Sequence, residues 1–344
     1  MDQLDRRILT DMQTAFPVAE RPFDALAERL GLPPDDLLVR VRRLASVGVI
    51  RRVGPVFDSE RLGYVSTLVA ARVPRERVED AAERVNRLPG VTHNYERQGT
   101  YNLWFTLTAP LKDGLEATLA SLRNLRGLED IQSLPAEARY KICATFNLAG
   151  TAPAPHTEPP GPAPAPVPAG MRQPRGAPVL LSDRQKALVR ALQDGLPVEH
   201  EPFAEAARQT GWTVPQILEQ IREWLAEGVV RRFGAVLRHR QAGVRAGGMA
   251  VFKVDDEDID AAGGALAAHA EVTHCYRRPP LPDFPYNLYA MVHGPSEDAV
   301  RARVAAMADE VGASAWDVLF SLREFKKTSM RYFAEGKAAP PNDA

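Results

Sequence analysis

Apolar positions recur at helical spacing over residues 4–14 and 22–30, at Leu4, Ile8 and Leu9, then Phe23, Leu26, Ala27 and Leu30. Gly31 stands where the second of these helices should end. Pro33-Pro34-Asp35-Asp36 opens a third helix, with proline and acids where a helix N-terminus tolerates them. It runs to about Ala45, Gly48 stops it, and Val49 to Phe57 alternates like a wing strand. Three helices and a wing predict a winged helix-turn-helix. The pattern then changes. Val65 to Val73 reads as a strand, and Arg75 to Leu88 as a helix with Val78, Ala81, Ala82, Val85 and Leu88 on one stripe. Strands at 91–97 and 101–109, a helix at 111–124 and a strand at 129–134 follow. The order βαββαβ is that of a ferredoxin-like sandwich.

The whole pattern then returns. Val41-Arg42-Arg43-Leu44 through Gly48-Val49-Ile50-Arg51-Arg52 reappears as Ile221-Arg222-Glu223-Trp224 through Gly228-Val229-Val230-Arg231-Arg232. Helices are expected at 182–193, 202–210 and 214–226, and a wing at 229–237. The second βαββαβ unit reads 247–254, 257–269, 271–278, 286–293, 296–311 and 315–322. Basic tails follow each unit, at Arg139-Tyr140-Lys141 and from Arg323 through Lys326-Lys327 to Arg331. The fold class is α+β, two tandem repeats of the same two domains. Winged helices occupy 1–60 and 179–244, and ferredoxin-like domains 61–150 and 245–335. Residues 151–178 contain ten prolines. They are expected to form an extended, disordered Pro/Ala-rich linker of roughly 85 Å reach, at ~3.1 Å per residue. A disordered tail is expected at 336–344. The two halves should pack as a pseudo-twofold pair through their ferredoxin-like sheets.

One hairpin carries the chemistry, and it occurs twice. Val91-Thr92-His93-Asn94-Tyr95-Glu96-Arg97 leads to Tyr101-Asn102-Leu103-Trp104-Phe105; Val272-Thr273-His274-Cys275-Tyr276-Arg277-Arg278 leads to Tyr286-Asn287-Leu288-Tyr289. Side chains alternate faces along a strand. His93, Tyr95 and Arg97 therefore share one face, as do His274, Tyr276 and Arg278. Thr92, Asn94 and Glu96 make the other face polar too, which predicts a strand at a sheet edge. The first hairpin turns through Gln98-Gly99-Thr100, the second through a longer, proline-rich lobe from Pro279 to Pro285. A single strand histidine is commonly structural, but two at matching repeat positions, each followed by Tyr and Arg, argue for a site. His200, His239, His269 and His293 have no repeated partner and read as surface or structural. Arg51-Arg52 and Arg231-Arg232 read as solvated turns.

Composition narrows the function classes. With 43 Lys+Arg against 44 Asp+Glu the chain has no overall pull toward nucleic acid or an anionic membrane. The third helix of the first half begins with Asp35-Asp36, and that of the second carries Glu219, Glu223 and Glu227 around Arg222, so DNA is not an expected partner. No apolar run approaches the ~20 residues of a membrane span. Met1-Asp2-Gln3-Leu4-Asp5 has no signal pattern, so a cytoplasmic protein is expected. Two cysteines give neither a disulfide framework nor a CxxC metal pattern, and Cys275 reads as a packed thiol. No GxGxxG or P-loop is present.

A winged helix followed by βαββαβ, with Ala27-Glu28-Arg29-Leu30-Gly31 and Val41-Arg42-Arg43-Leu44 before Gly48-Val49-Ile50, resembles the Lrp/AsnC regulators. The His-Asn-Tyr-x-Arg strand with Tyr-Asn-Leu-Trp-Phe instead resembles the sirohaem decarboxylases, enzymes that kept the regulators' fold. A duplicated unit on a Pro/Ala tether is similar to their fused form in haem d1 biosynthesis. The resemblance implies sirohaem as substrate, an iron tetrapyrrole with eight carboxylates, and loss of carbon dioxide from two acetate side chains to give 12,18-didecarboxysirohaem. It implies no cofactor beyond the substrate and no resident metal. It implies catalytic roles for His93 and His274 as general acids, for Arg97 and Arg278 as carboxylate clamps, and for Tyr95 and Tyr276 beside them. Either histidine is alternatively an axial ligand to the substrate iron. Tyr101, Trp104, Arg277, Tyr286, Lys326 and Lys327 are the substrate-binding candidates. The second copy departs in Cys275 for Asn94, Arg277 for Glu96 and the inserted lobe, which leaves open whether both halves are equally competent. A higher homo-oligomer or contact with other pathway enzymes is compatible with the pattern. The competing readings are a DNA-binding regulator and a haem-binding sensor on the same fold.

Overall fold

The computed structural model describes residues 1–124, 127–142, 177–237 and 246–334. All but the last two residues of the expected linker, the tail at 336–344, and Cys143, His156 and His239 lie outside the described residues. The first half runs α1 (Gln3–Thr14), α2 (Pro22–Leu30), α3 (Pro34–Ser46) and β1 (Ile50–Phe57). Then come β2 (Tyr64–Arg72), a 3-10 turn at Arg75–Arg77, α4 (Val78–Asn86), β3 (Val91–Arg97) and β4 (Leu103–Pro110). It closes with α5 (Leu111–Arg123), β5 (Asp130–Pro135) and β6 (Ala138–Ile142). The second half repeats this as α6 (Asp183–Leu192), α7 (Ala204–Thr210), α8 (Val214–Ala226), β7 (Val230–Leu237) and β8 (Ala246–Lys253). It ends with α9 (Ile259–Ala268), β9 (Val272–Arg277), β10 (Leu288–Gly294), α10 (Glu297–Glu310) and β11 (Ala315–Lys327).

Local chemistry sets the helix starts. The Asp2 carboxylate accepts from Asp5 N–H at 2.7 Å, and Asp5 Oδ2 accepts from Asp2 N–H at 3.0 Å, a reciprocal cap on α1. Ser182 with Gln185 and Thr213 with Gln216 do the same for α6 and α8. The apolar stripes of both winged helices merge into one core. Phe16 of the first half stacks on Phe233 of the second at 5.8 Å, and Phe57 meets Trp224 edge-on at 5.9 Å. The two wings pair antiparallel as β1 with β7, Gly54 opposite Gly234. Gly234 has φ +154°, and a Cβ there would lie 2.2 Å from the Met12 carbonyl oxygen, so only glycine allows this crossing. Arg52 and Arg232 are not solvated turns. They sit in these wing strands and donate Nη1 to the carbonyls of Pro55 and Ala235 at 2.8 and 2.9 Å.

The remaining strands form one nine-stranded sheet in the order β5-β2-β4-β3-β11-β8-β10-β9-β6, antiparallel throughout. Two strands cross between halves. The first part of β11 pairs with β8 of its own half, and the rest, Ser321 to Lys327, pairs with β3 of the first half. In return β6 of the first half pairs with β9 of the second. The basic tails expected after each unit are therefore these exchanged strands. The hairpin strands β3 and β9, expected at edges, are each covered by a strand from the other half. β5 and β6 lie at opposite ends of the sheet order yet are separated by only Ala136 and Glu137. Two residues reach at most ~10 Å, so the sheet curls until its two ends meet. Helices α4 and α5 cover the outer face of one half and α9 and α10 that of the other. A separate core fills the space between the two inner faces, built from Ala70, Tyr101, Trp104 and Leu134 of the first half with Met249, Val251, Tyr289 and Leu319 of the second.

Candidate active site

The polarity of β3 divides between the faces. Asn94 points outward and donates its side-chain amide to Asn86 Oδ1 at 3.0 Å, on α4. At the same position of β9, Cys275 is fully buried against α9, its thiol 3.8 Å from the Gly263 carbonyl, and burial pushes its pKa up to about 12. His93 and Tyr95 therefore face inward, their rings 6.3 Å apart, and His274 and Tyr276 match them at 6.2 Å.

Both strands carry an irregularity that strict alternation conceals. The register slips between Val91 and His93 against β4, and at the same place in the second half, where Met291 faces His274 but Val292 faces Val272. Thr92 and Thr273 are the extra residues. A bulge re-aims its side chain, and each threonine hydroxyl lies beside the next residue's imidazole, at 3.0 Å from His93 Nδ1 and 3.1 Å from His274 Nδ1. The hydroxyl orients each ring and occupies Nδ1.

The arginines are held firmly. Arg97 gives Nη1 to the Leu319 carbonyl of β11, and Arg278 gives Nη1 to the Leu134 carbonyl of β5, so each reaches across to the opposite half. Their guanidinium carbons lie 5.3 Å from the Tyr95 ring centre and 4.9 Å from that of Tyr276, a cation–π stack in each half. Burial lowers both to about 10, which leaves them charged at neutral pH. Neither Nε has a hydrogen-bond partner among the described residues.

The exchanged strands make the two copies unequal. Lys327 of β11 lies opposite His93, and Glu324 opposite Tyr95. In the second copy the same places hold Ile142 opposite His274 and Arg139 opposite Tyr276, the latter paired with Glu60. Burial lowers the His93 pKa to about 4, helped by the charges of Lys327, Arg51 and His274. His93 is thus a neutral imidazole in a cationic setting at pH 7.

The substrate-binding candidates do not all converge. Lys327 joins the histidines, but its neighbour Lys326 turns outward and donates to the Asn86 carbonyl at 2.6 Å. Arg277 also faces outward and pairs with Glu137 and Asp256 at 3.2 and 3.1 Å. Tyr101 and Trp104 are core residues. The Tyr101 hydroxyl donates to Asp130 at 2.8 Å and the Trp104 indole to the Tyr101 carbonyl at 2.7 Å. The inserted lobe of the second half covers them. Its Phe284 packs 5.5 Å from Trp104 and 4.7 Å from Tyr286, and Asp283 pairs with Arg72 at 3.2 Å. The repeated asparagines are structural: Asn102 brackets the backbone of Val73, and Asn287 that of Val254, through both amide atoms. A surface cleft of about 440 Å³ is walled by Arg277, Arg278 and Pro279, and another of about 490 Å³ lies at Arg40 and Arg43; no histidine lines either.

His293, read from the sequence as surface or structural, belongs to the inner face. Its Nε2 is 3.0 Å from the Thr273 hydroxyl that also holds His274. The alternation of Tyr289, Met291 and His293 along β10 carried that signal. Among the described residues no three His, Cys, Asp or Glu side chains gather as a metal site, and no helix is long and apolar enough to cross a membrane.

Comparison with known proteins agrees with this architecture. A family model described as "AsnC-like ligand binding domain" matches residues 61–141 and 241–326. One described as "Siroheme decarboxylase NirDL-like HTH domain" matches 5–51 and 185–231. The chain is 33% identical over 330 residues to the "Siroheme decarboxylase" of Hydrogenobacter thermophilus, covering 96% of this chain and 95% of the relative. It is 43% identical over 148 residues to the "Siroheme decarboxylase alpha subunit" of Desulfovibrio desulfuricans, which spans 43% of this chain and is itself 85% covered. The crystal structure of the siroheme decarboxylase NirDL in co-complex with an iron-uroporphyrin III analogue superposes with TM-score 0.71 at 30% identity, covering 97% of this chain and 95% of that one.

Proposed function

The chain belongs to the sirohaem decarboxylase family, and on that premise we propose that it removes carbon dioxide from two acetate side chains of sirohaem. It acts as a carboxy-lyase, gives 12,18-didecarboxysirohaem, and serves haem d1 or alternative haem biosynthesis. The observation that carries this reading is the inner face itself: two histidine–tyrosine–arginine strands and a lysine from an exchanged strand point inward, close enough for the His274 charge to act on His93.

Each turnover breaks the bond between an acetate methylene and its carboxylate. The electron pair passes into the macrocycle, carbon dioxide leaves, and the methylene carbon takes one proton to become methyl. His274 supplies that proton, as the copy whose cross-strand neighbour is Ile142 and not a lysine. His93, the neutral ring beside Lys327, takes the iron-facing place. Lys327 neutralises a substrate carboxylate. Tyr95 and Tyr276 hydrogen-bond the carboxylates. Arg97 and Arg278 attract the polyanion and, through their stacks and carbonyl bonds, fix the tyrosines.

The winged helices serve as scaffold in this reading. In α3, Arg40 pairs with Asp2 and Asp5 at 2.8 and 2.9 Å, and Arg43 with Asp5 at 2.5 Å. Arg42 donates to the Val198 carbonyl of the other half at 2.9 Å, and Arg222 of α8 donates to Val18 in return at 3.2 Å. Cations that would meet phosphate are already engaged. Anaerobic incubation with sirohaem, followed by mass spectrometry, tests the proposal. The expected result is loss of two carbon dioxide units; an unchanged substrate mass would overturn it.

A further inference from the structure

The two inner faces differ at a further matched pair of positions. In the first half Ser66 of β2 lies opposite Thr108 of β4, and their hydroxyls are bonded at 2.8 Å. At the corresponding register of the second half Gly247 of β8 lies opposite His293 of β10. The equivalence is supported by the backbone: Thr108 N–H donates to the Gly90 carbonyl at 2.9 Å, and His293 N–H to Glu271 at 3.0 Å. A Cβ at position 247 would stand 3.0 Å from His293 Nδ1 and 3.3 Å from its Cε1. The serine-to-glycine difference between the repeats thus makes the room that the imidazole fills. His293 uses it to reach Thr273, whose hydroxyl is 3.0 Å from His293 Nε2 and 3.1 Å from His274 Nδ1. In the first half Thr92 reaches His93, but its neighbour Thr108 carries no titratable group.

We propose that His293 is a positioning residue of the decarboxylation, joined to His274 through the Thr273 hydroxyl, so that the second half alone has a proton relay. The inference rests on His274 as the acid. A hydroxyl between two imidazole nitrogens has one hydrogen, so it donates to one ring and accepts from the other. With His274 Nδ1 accepting, Nε2 carries its N–H toward the substrate. When the methylene carbon takes that proton, Thr273 passes its hydroxyl proton to His274 Nδ1 and receives one from His293 Nε2. His293 takes a proton from water at Nδ1, and both rings end in the opposite tautomer. The sum is one proton from solvent to carbon, with no change of net charge on the protein.

The test uses the full chain with sirohaem under anaerobic single-turnover conditions, with tetrapyrrole affinity measured in parallel by absorbance titration. Thr273→Val keeps the branched shape and removes the hydroxyl. It and His293→Gln should each slow loss of carbon dioxide about tenfold or more, a share of what a general acid contributes, with affinity within about twofold of wild type. Thr273→Ser should restore the rate, and Thr108→Val should leave it unchanged. In mixed H₂O/D₂O the wild-type rate should depend on deuterium fraction along a curve, as several protons move together, and His293→Gln should straighten it. Wild-type rates in Thr273→Val and His293→Gln, with His274→Ala slow, would overturn the relay and leave the acid assignment standing. A Thr273→Ser variant as slow as Thr273→Val would mean packing rather than proton transfer, and would also overturn it. A wild-type rate in His274→Ala would remove the acid assignment itself, and the relay with it.

Discussion

The two halves share a fold, the register slip included, yet their inner faces are not alike. The first has a neutral histidine beside Lys327, with Trp104 sealed under Phe284 of the other half. The second has a histidine beside Ile142, a threonine-linked second histidine, and a seven-residue lobe. Because strands are exchanged, the residue that distinguishes His93 from His274 is encoded in the opposite repeat. A duplicated chain with reciprocal strands can therefore specialise its two faces while leaving both scaffolds intact. A single symmetric subunit cannot do so, since every change would appear on both faces.

The largest expected effect separates the histidines. His274→Ala should slow decarboxylation by ~10²–10⁴, the usual contribution of a general acid. His93→Ala should instead weaken iron-tetrapyrrole binding and alter the iron's absorption spectrum. Single-turnover mass spectrometry with spectral titration distinguishes them; equal kinetic losses with unchanged spectra would mean the faces work alike.

The lobe gives the next contrast. Trp104 is buried under Phe284 and bonded through its indole. Trp104→Ala should cost about 3–5 kcal/mol in denaturant unfolding, the range for an emptied aromatic site. Phe284→Ala should cost about half of that, because the ring is only partly buried, and should loosen the first half's inner face more than the second's. Hydrogen exchange at β4 and β10 would show whether the loosening is one-sided.

Exchanging the charge sharpens the comparison further. Lys327→Ile makes the first face resemble the second. Sirohaem binding should weaken about tenfold, or ~1.4 kcal/mol, for one lost carboxylate partner. The His93 pKa should move up as the Lys327 repulsion is removed. Imidazole proton shifts read by NMR against pH would check the direction, and no movement would mean that burial and the other nearby charges set the value.

The same histidine also sets a pH dependence of stability. His93 titrates near 4 in the fold and near 6.5 when unfolded, so the unfolded chain binds more protons between those values. Stability from this group is present above pH 6.5 and is lost as pH falls toward 4, about 3 kcal/mol in all. His93→Gln should flatten that part of the unfolding profile, measured by denaturant midpoints from pH 7 to 4. An unchanged slope would place the buried proton elsewhere.

Periodicity and repetition alone determined the winged helices, the two βαββαβ units and the recurrent His-Tyr-Arg strand, because these depend on neighbours within a few residues. They also made His93 and Tyr95 co-facial, since alternation along a strand is local. Three features were decided by tertiary structure. The basic segments at 138–142 and 321–327 became strands because their pairing partners lie in the other half, which no local pattern encodes. The bulges at Thr92 and Thr273 turned an outward residue toward the histidines, because register depends on the opposite strand. Alternation puts His293 on the inner face, but its ring reaches Thr273 through the space that Gly247 leaves on a strand 46 residues away in sequence. Helices and strands follow from local periods, whereas a site assembled across strands follows from register and strand exchange, which only the folded sheet defines.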